Sequence, residues 1–128
     1  MKTLILITAF ACLSSMTPAF ADTLRETYIA KLSTRDHFNS KGQRLTNAAA
    51  IIRQDRANFH KYGKRDAGDQ SDKFFASANN RALLEKFINR GRSTKSALQK
   101  IVNGTPSIVV KIYRNDSGDD YINVTVID

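Results

Sequence analysis

The chain has 128 residues, with 20 lysines and arginines against 12 acids for a formal charge of +8, two histidines, one cysteine and no tryptophan. That length admits one domain and no more. The composition is that of a globular protein and excludes the collagenous and disulfide-rich classes.

The first 21 residues read as a leader. Met1-Lys2 supplies a positive start and Leu4 to Leu13 a ten-residue apolar run. Pro18 breaks the run, and Ala19-Phe20-Ala21 puts small residues at the two positions a signal peptidase reads. This is a secretory signal peptide cut after Ala21, and the expected location is secreted or periplasmic. The run is too short for a transmembrane anchor to remain after cleavage. Cys12 follows Ala9-Phe10-Ala11, which fits a lipidation pattern poorly. Cleavage removes Cys12, so residues 22–128 form one small exported domain with no disulfide, thiolate nucleophile or cysteine metal site.

Charge is unevenly spread. Residues 22–114 hold 19 bases and eight acids, whereas residues 115–128 hold four acids and no base. A basic body of this kind attracts polyanions or acidic protein surfaces. The plain alternative is a solvated surface that serves solubility.

In chain order, Tyr28 to Leu32 is a short mixed run, an edge strand or a helix end. Ser33 to Arg44 is a polar loop punctuated by Gly42. Thr46 or Asn47 caps a helix running to about Tyr62, closed by Gly63. Lys64 to Lys73, with Gly68 and three aspartates, reads as an exposed loop. Phe74-Phe75 re-enters the core. A second helix spans about Asn79 to Arg90, with Leu83, Leu84, Phe87 and Ile88 on one stripe. Ser93 caps a third to about Asn103, with Ala97, Leu98, Ile101 and Val102 buried. Ile108 to Arg114 and Tyr121 to Ile127 form a β-hairpin around Asn115–Asp120. Ile108, Val110 and Ile112 would share one face, and Ile122, Val124 and Val126 another. A lone hairpin is marginal in water, so the helices must cover it. The expected fold is α+β: three short helices on a C-terminal antiparallel hairpin, with residues 28–32 as a candidate third strand.

Asp55 is the position that breaks the pattern. At 100° per residue, Ala48, Ile51, Ile52, Phe59 and Tyr62 share a stripe, and Asp55 falls near its middle. A carboxylate facing a core must be paired or hydrogen-bonded. The structural reading is a tie to an arginine or to amides of the Ser33–Arg44 loop. The functional one is an acid or base with a shifted pKa at the floor of a cleft. Arg53, Arg56 and His60 fall together on one flank and form the best local candidate for binding an anion, against the plain reading of a solvated basic face. His60 has no second histidine or cysteine one turn away, so no metal is expected there.

Asp36-His37-Phe38-Asn39-Ser40 gathers an acid, an imidazole, an amide and a hydroxyl. Adjacent residues rarely line up as a relay, and no Gly-x-Ser-x-Gly elbow is present, so these side chains are expected to bond the loop backbone. Asp116, Asp119 and Asp120 lack calcium-loop spacing. Three triplets, at Asn103, Asn115 and Asn123, match glycosylation acceptors, a weak signal. The second and third helices have helix-turn-helix spacing with Arg92, Lys95 and Lys100 on the second element, but an exported chain does not meet genomic DNA.

No nucleotide, zinc or nucleophile motif is present, and no cofactor or metal is expected. The leading expectation is an exported non-catalytic binding protein whose basic surface, at Arg53, Arg56 and His60, engages an acidic protein or an anionic envelope polymer. The runner-up is a small exported hydrolase-like enzyme using Asp55 with His37 or His60. The third reading is a structural or stress-related envelope protein without a discrete site.

Overall fold

The computed structural model describes residues 11–12 and 21–128. The expected leader lies outside the described residues except for Ala11, Cys12 and Ala21.

The hairpin expected at the C-terminus is present as β2 (Ser107–Arg114) and β3 (Asp120–Val126). Asn115 shapes its tip: the side-chain Oδ1 accepts from Ser117 N and Asp119 N at 3.0 and 2.8 Å. Gly118 takes a φ of +85°, a conformation that costs glycine nothing. The candidate third strand is longer than the sequence suggested. It runs from Thr23 to Lys31 as β1 and pairs with β2, giving an antiparallel sheet in the order β1-β2-β3. The register sets Tyr28 opposite Val110, Val110 opposite Val124, and Ile112 opposite Ile122. Because side chains alternate along each strand, the two hydrophobic triplets of the hairpin share one face rather than two. That face is the core: Tyr28, Ala30, Ile108, Val110, Ile112, Ile122 and Val124 are all buried.

Four α-helices fill the connection from β1 to β2. Helix α1 (Ala48–His60) is capped by Asn47, whose Oδ1 accepts from Ala50 N at 2.8 Å. Tyr62, placed by periodicity on its buried stripe, lies past the helix end and is exposed. The expected second helix is two, α2 (Ala78–Ala82) and α3 (Leu84–Arg90), with Leu83 out of helical geometry between them. The break turns Leu84, Phe87 and Ile88 inward and leaves Leu83 exposed, so only three of that four-residue stripe reach the core. Helix α4 (Lys95–Asn103) is capped by Thr94, whose Oγ1 accepts from Ala97 N at 3.1 Å. Ser93, the expected cap, instead accepts from Val124 N of β3 at 2.9 Å.

Both outer strands are covered by connecting segments, which blunts the sheet's edges. At β3, Arg92 N donates to Asn123 Oδ1 at 2.7 Å. Gly91 passes so close that an added Cβ would lie 1.9 Å from the Ile122 carbonyl oxygen. At β1, Gln70 exchanges bonds with Ile29: its N donates to Ile29 O at 2.8 Å, and its Oε1 accepts from Ile29 N at 3.0 Å. Asp69 Oδ1 accepts from Lys31 N at 2.8 Å. The Glu26 carboxylate accepts from Lys73 N and Phe74 N. The Lys64–Lys73 segment has no helix or strand, as expected, yet it is more than an exposed loop. It runs along the β1 edge and buries Asp72.

The Ser33–Arg44 loop bonds its own backbone through Asp36 and Asn39. It also caps α4: His37 Nε2 lies 2.8 Å from Ile101 O, and Arg44 Nη2 donates to Val102 O at 3.0 Å. Those are carbonyls the helix end leaves without a partner. No helix among the described residues is long and apolar enough to cross a membrane.

Candidate anion-binding site

Helix α1 carries two unlike sides. On its inward side, Asp55 and Arg56 are fully buried and bonded to each other, Nε to Oδ2 at 2.8 Å. Arg56 Nη1 also donates to Asp72 Oδ1 at 2.9 Å and to Gln70 O at 3.0 Å. The guanidinium lies between two aromatic rings, 4.3 Å from the Tyr28 centroid and 4.5 Å from that of Phe59. Arg65 covers Phe59 at 4.0 Å. Asp72 is held again by Phe75 N at 2.5 Å and His60 Nε2 at 2.8 Å. Burial alone would lower the pKa of Arg56, but the neighbouring Tyr28, Asp55 and Asp72 outweigh it and raise it above the ordinary value. Burial pushes Asp55 up, against the pull of Arg56, and it raises Asp36 in the same way. Burial likewise holds Tyr28 well above the usual phenol range.

Around this pair the acids outnumber the bases. Carboxylate oxygens of Asp36, Asp55 and Asp66 come within 4.8 Å of one another. Oxygen ligands of this kind suit a hard cation. Here they are already engaged: Asn58 Nδ2 and Ser33 N donate to the two oxygens of Asp36, Arg56 donates to Asp55, and Arg35 reaches Asp66 at 3.4 Å. The cluster is a polar layer of the core, tied together by protein donors.

The sequence candidates are thus dispersed. Arg53 is exposed on the outward side of α1. Arg56, expected beside it on a basic flank, is withdrawn from solvent because the Lys64–Asp72 segment folds across that flank. His60 leans on the same Asp72 with its side chain only 12% exposed. Asp55 does meet an arginine, its own neighbour in the chain, and not the Ser33–Arg44 backbone. Neither histidine has Asp55 as a hydrogen-bond partner. Both ring nitrogens of His37 lie against backbone carbonyls, of Ser33 and Ile101 at 2.8 Å each, and the ring is buried.

The outward side of α1 supplies what the sequence reading missed. A cleft of about 390 Å³ is lined by Arg53, Gln54, Lys61 and Tyr62, by Asn39 from the preceding loop and by Arg81 from α2. A second, of about 410 Å³, shares Asn39, Gln54 and Tyr62 and adds Arg35 and Lys64. Five cations line the two, and no carboxylate does. Gln54 Nε2 donates to Asn58 Oδ1 at 2.9 Å, and Asn58 donates in turn to Asp36, so an amide relay joins the clefts to the acid layer. A further groove of about 450 Å³, between the start of α1, α3 and α4, carries one base and one acid, Lys95 and Glu85, and has no such bias.

Arg81 carried no sequence signal, since it lies in the last turn of α2, where a base suits the helix dipole. No protein-family model, curated protein or solved structure matches this chain.

Proposed function

We propose that this is an exported, non-catalytic binding protein that engages an acidic protein or an anionic envelope component. The observation that carries the reading is the pair of adjoining clefts on the outward side of α1, with five cations and no carboxylate in their walls. Export rests on the leader pattern of residues 1–21, and the anionic partner on the charge of the body. The basic surface is re-centred from Arg53, Arg56 and His60 to Arg53, Lys61 and Arg81, with Arg35 and Lys64 beside them. Arg56 and His60 are instead bonded to Asp72 and line neither cleft. The clefts have the size of small-ligand sites and offer amides and a tyrosine for orientation.

Affinity capture from envelope and culture extracts tests this, at low salt and again at about 0.5 M, where the Debye length is only a few ångströms. Retention of an acidic protein or anionic polymer should weaken with salt and fall further in the charge reversal Arg53→Glu/Lys64→Glu. Retention indifferent to both salt and these substitutions would sink the proposal.

A further inference from the structure

Arg81 and Arg56 are both nine-tenths buried or more. Arg56 has two carboxylates within 2.9 Å. Arg81 has none: among the described residues it takes part in no ion pair. Its Nη1 donates to the carbonyls of Phe75 and Ala76 at 2.8 and 3.1 Å, which fixes the guanidinium in place. Carbonyls do not neutralise it. A buried cation without a counter-ion is costly, and proteins keep one where something else supplies the charge. Arg81 lines the cleft that also holds Arg53 and Lys61.

We propose that this cleft is a binding site for a phosphomonoester, with the phosphoryl group set against Arg81, Arg53 and Lys61. This rests on the binding-protein reading above and names its ligand class. Three reasons favour a phosphoryl group over a carboxylate. Three cations with no acid among them suit a group carrying nearly two negative charges better than one. A guanidinium is a planar fork that bonds phosphate oxygens in pairs, and Arg81 is already oriented. The lysine adds a point charge on a flexible stem at the rim. The organic part of the ligand lies along Gln54, Asn39 and the half-exposed Tyr62, which stand where the two clefts meet, with Lys61 Nζ 5.2 Å from the Tyr62 ring centroid.

The test is a titration of isotope-labelled protein from the full chain, followed by backbone-amide and arginine Nε resonances. It is run at about 0.01 M salt, where the Debye length is about 30 Å, and above the second phosphate pKa of about 6. The probes are inorganic phosphate, glucose 6-phosphate and, as a monoanion, glucuronate. Both phosphates should saturate with shifts at Arg53, Lys61, Tyr62 and Arg81, and should bind about tenfold tighter than glucuronate. Glucose 6-phosphate tighter than phosphate identifies an organic ester as the ligand; equal affinities identify free phosphate and overturn the ester. Arg53→Gln and Lys61→Gln, both at exposed positions, should each weaken binding by about tenfold or less. Arg81→Lys keeps the charge without the fork and should also weaken it. Lys111→Gln, on the opposite sheet face, should change nothing. No saturable binding of either phosphate, glucuronate binding as tightly, or an equal loss in Lys111→Gln overturns the proposal. Salt-sensitive capture that falls in Arg53→Glu/Lys64→Glu would then still stand, with an acidic partner other than a phosphomonoester at the clefts. Loss of both would remove the wider reading too.

Discussion

Arg56 and Arg81 are both withdrawn from solvent, on different sides of the packing around α1, and they differ in what neutralises them. Arg56 sits among an excess of acids: Asp55 and Asp72 bond it directly, and Asp36 and Asp66 lie close behind. Arg81 sits among other cations and is held by carbonyls alone. The first arrangement is closed. Its carboxylates are bonded by protein donors, while Arg56 Nη2 and the Tyr28 hydroxyl are buried with no hydrogen-bond partner, and its removal is a matter of stability. The second is open to a cleft, and its missing charge has to come from outside. Burial of an arginine therefore says little by itself; the sign of its surroundings says whether it is a strut or a receptor.

The largest expected effect is on the closed side. Arg56→Ala leaves Asp55 and Asp72 buried without their cation and empties the space between Tyr28 and Phe59. Breaking a buried pair in this way costs about 3–5 kcal/mol, read as a shift in the denaturant midpoint. A loss below about 1 kcal/mol would mean that the acids relax to water or carry protons, and that the layer is not held by Arg56.

Arg81→Ala comes next. It removes bonds to two carbonyls, one of them in the buried turn at Phe75, for a cost of about 1–3 kcal/mol. What separates it from Arg56 is linkage to ligand. Phosphate at about 100 times its dissociation constant should stabilise the unaltered protein by about 2.7 kcal/mol and Arg81→Ala by far less. If phosphate stabilises the variant as much as the parent, the contrast between the two arginines fails.

How much of this could be read from the chain depends on what kind of force set it. The hairpin and the apolar stripes were legible because Ile108, Val110 and Ile112 alternate with period two, and Leu84, Phe87 and Ile88 recur at helical spacing. The helix break at Leu83 was hidden because leucine is a strong helix former and tertiary packing overrides that preference. Asp55 was legible as an anomaly on its stripe. Arg56 was misread, since a helical wheel knows one buried face and cannot foresee that Lys64–Asp72 folds across the flank. Those nine residues carry no aliphatic side chain larger than alanine, so hydrophobicity gave no hint that they pack. They are held by Gln70 and Asp69 on the backbone of β1, and such pairings leave no periodic trace. The cleft was invisible for a related reason, because Asn39, Arg53 and Arg81 come from three separate segments.

The smallest effect is a slope rather than a loss, and it tests the acid excess directly. Burial raises the pKa of Asp55 and of Asp36 above the ordinary 3.8. A carboxyl whose pKa is raised on folding holds its proton in the native state at pH values where the unfolded chain has released it. The native state then binds more protons, and stability falls as pH rises. The decline should begin near pH 4 and continue upward through the raised native values. Asp128, whose pKa is lowered by its bond from Ser107 N, acts with the opposite sign, but only below 3.8. Unfolding free energies across pH 4 to 7 should therefore drift downward, and the drift should flatten in Asp36→Asn, which cannot ionise. A rise with pH over that range would mean that Arg56 and the amides outweigh desolvation and keep both acids ionised. The inward side of α1 would then be charge-balanced, and the difference between its two sides would rest on Arg81 alone.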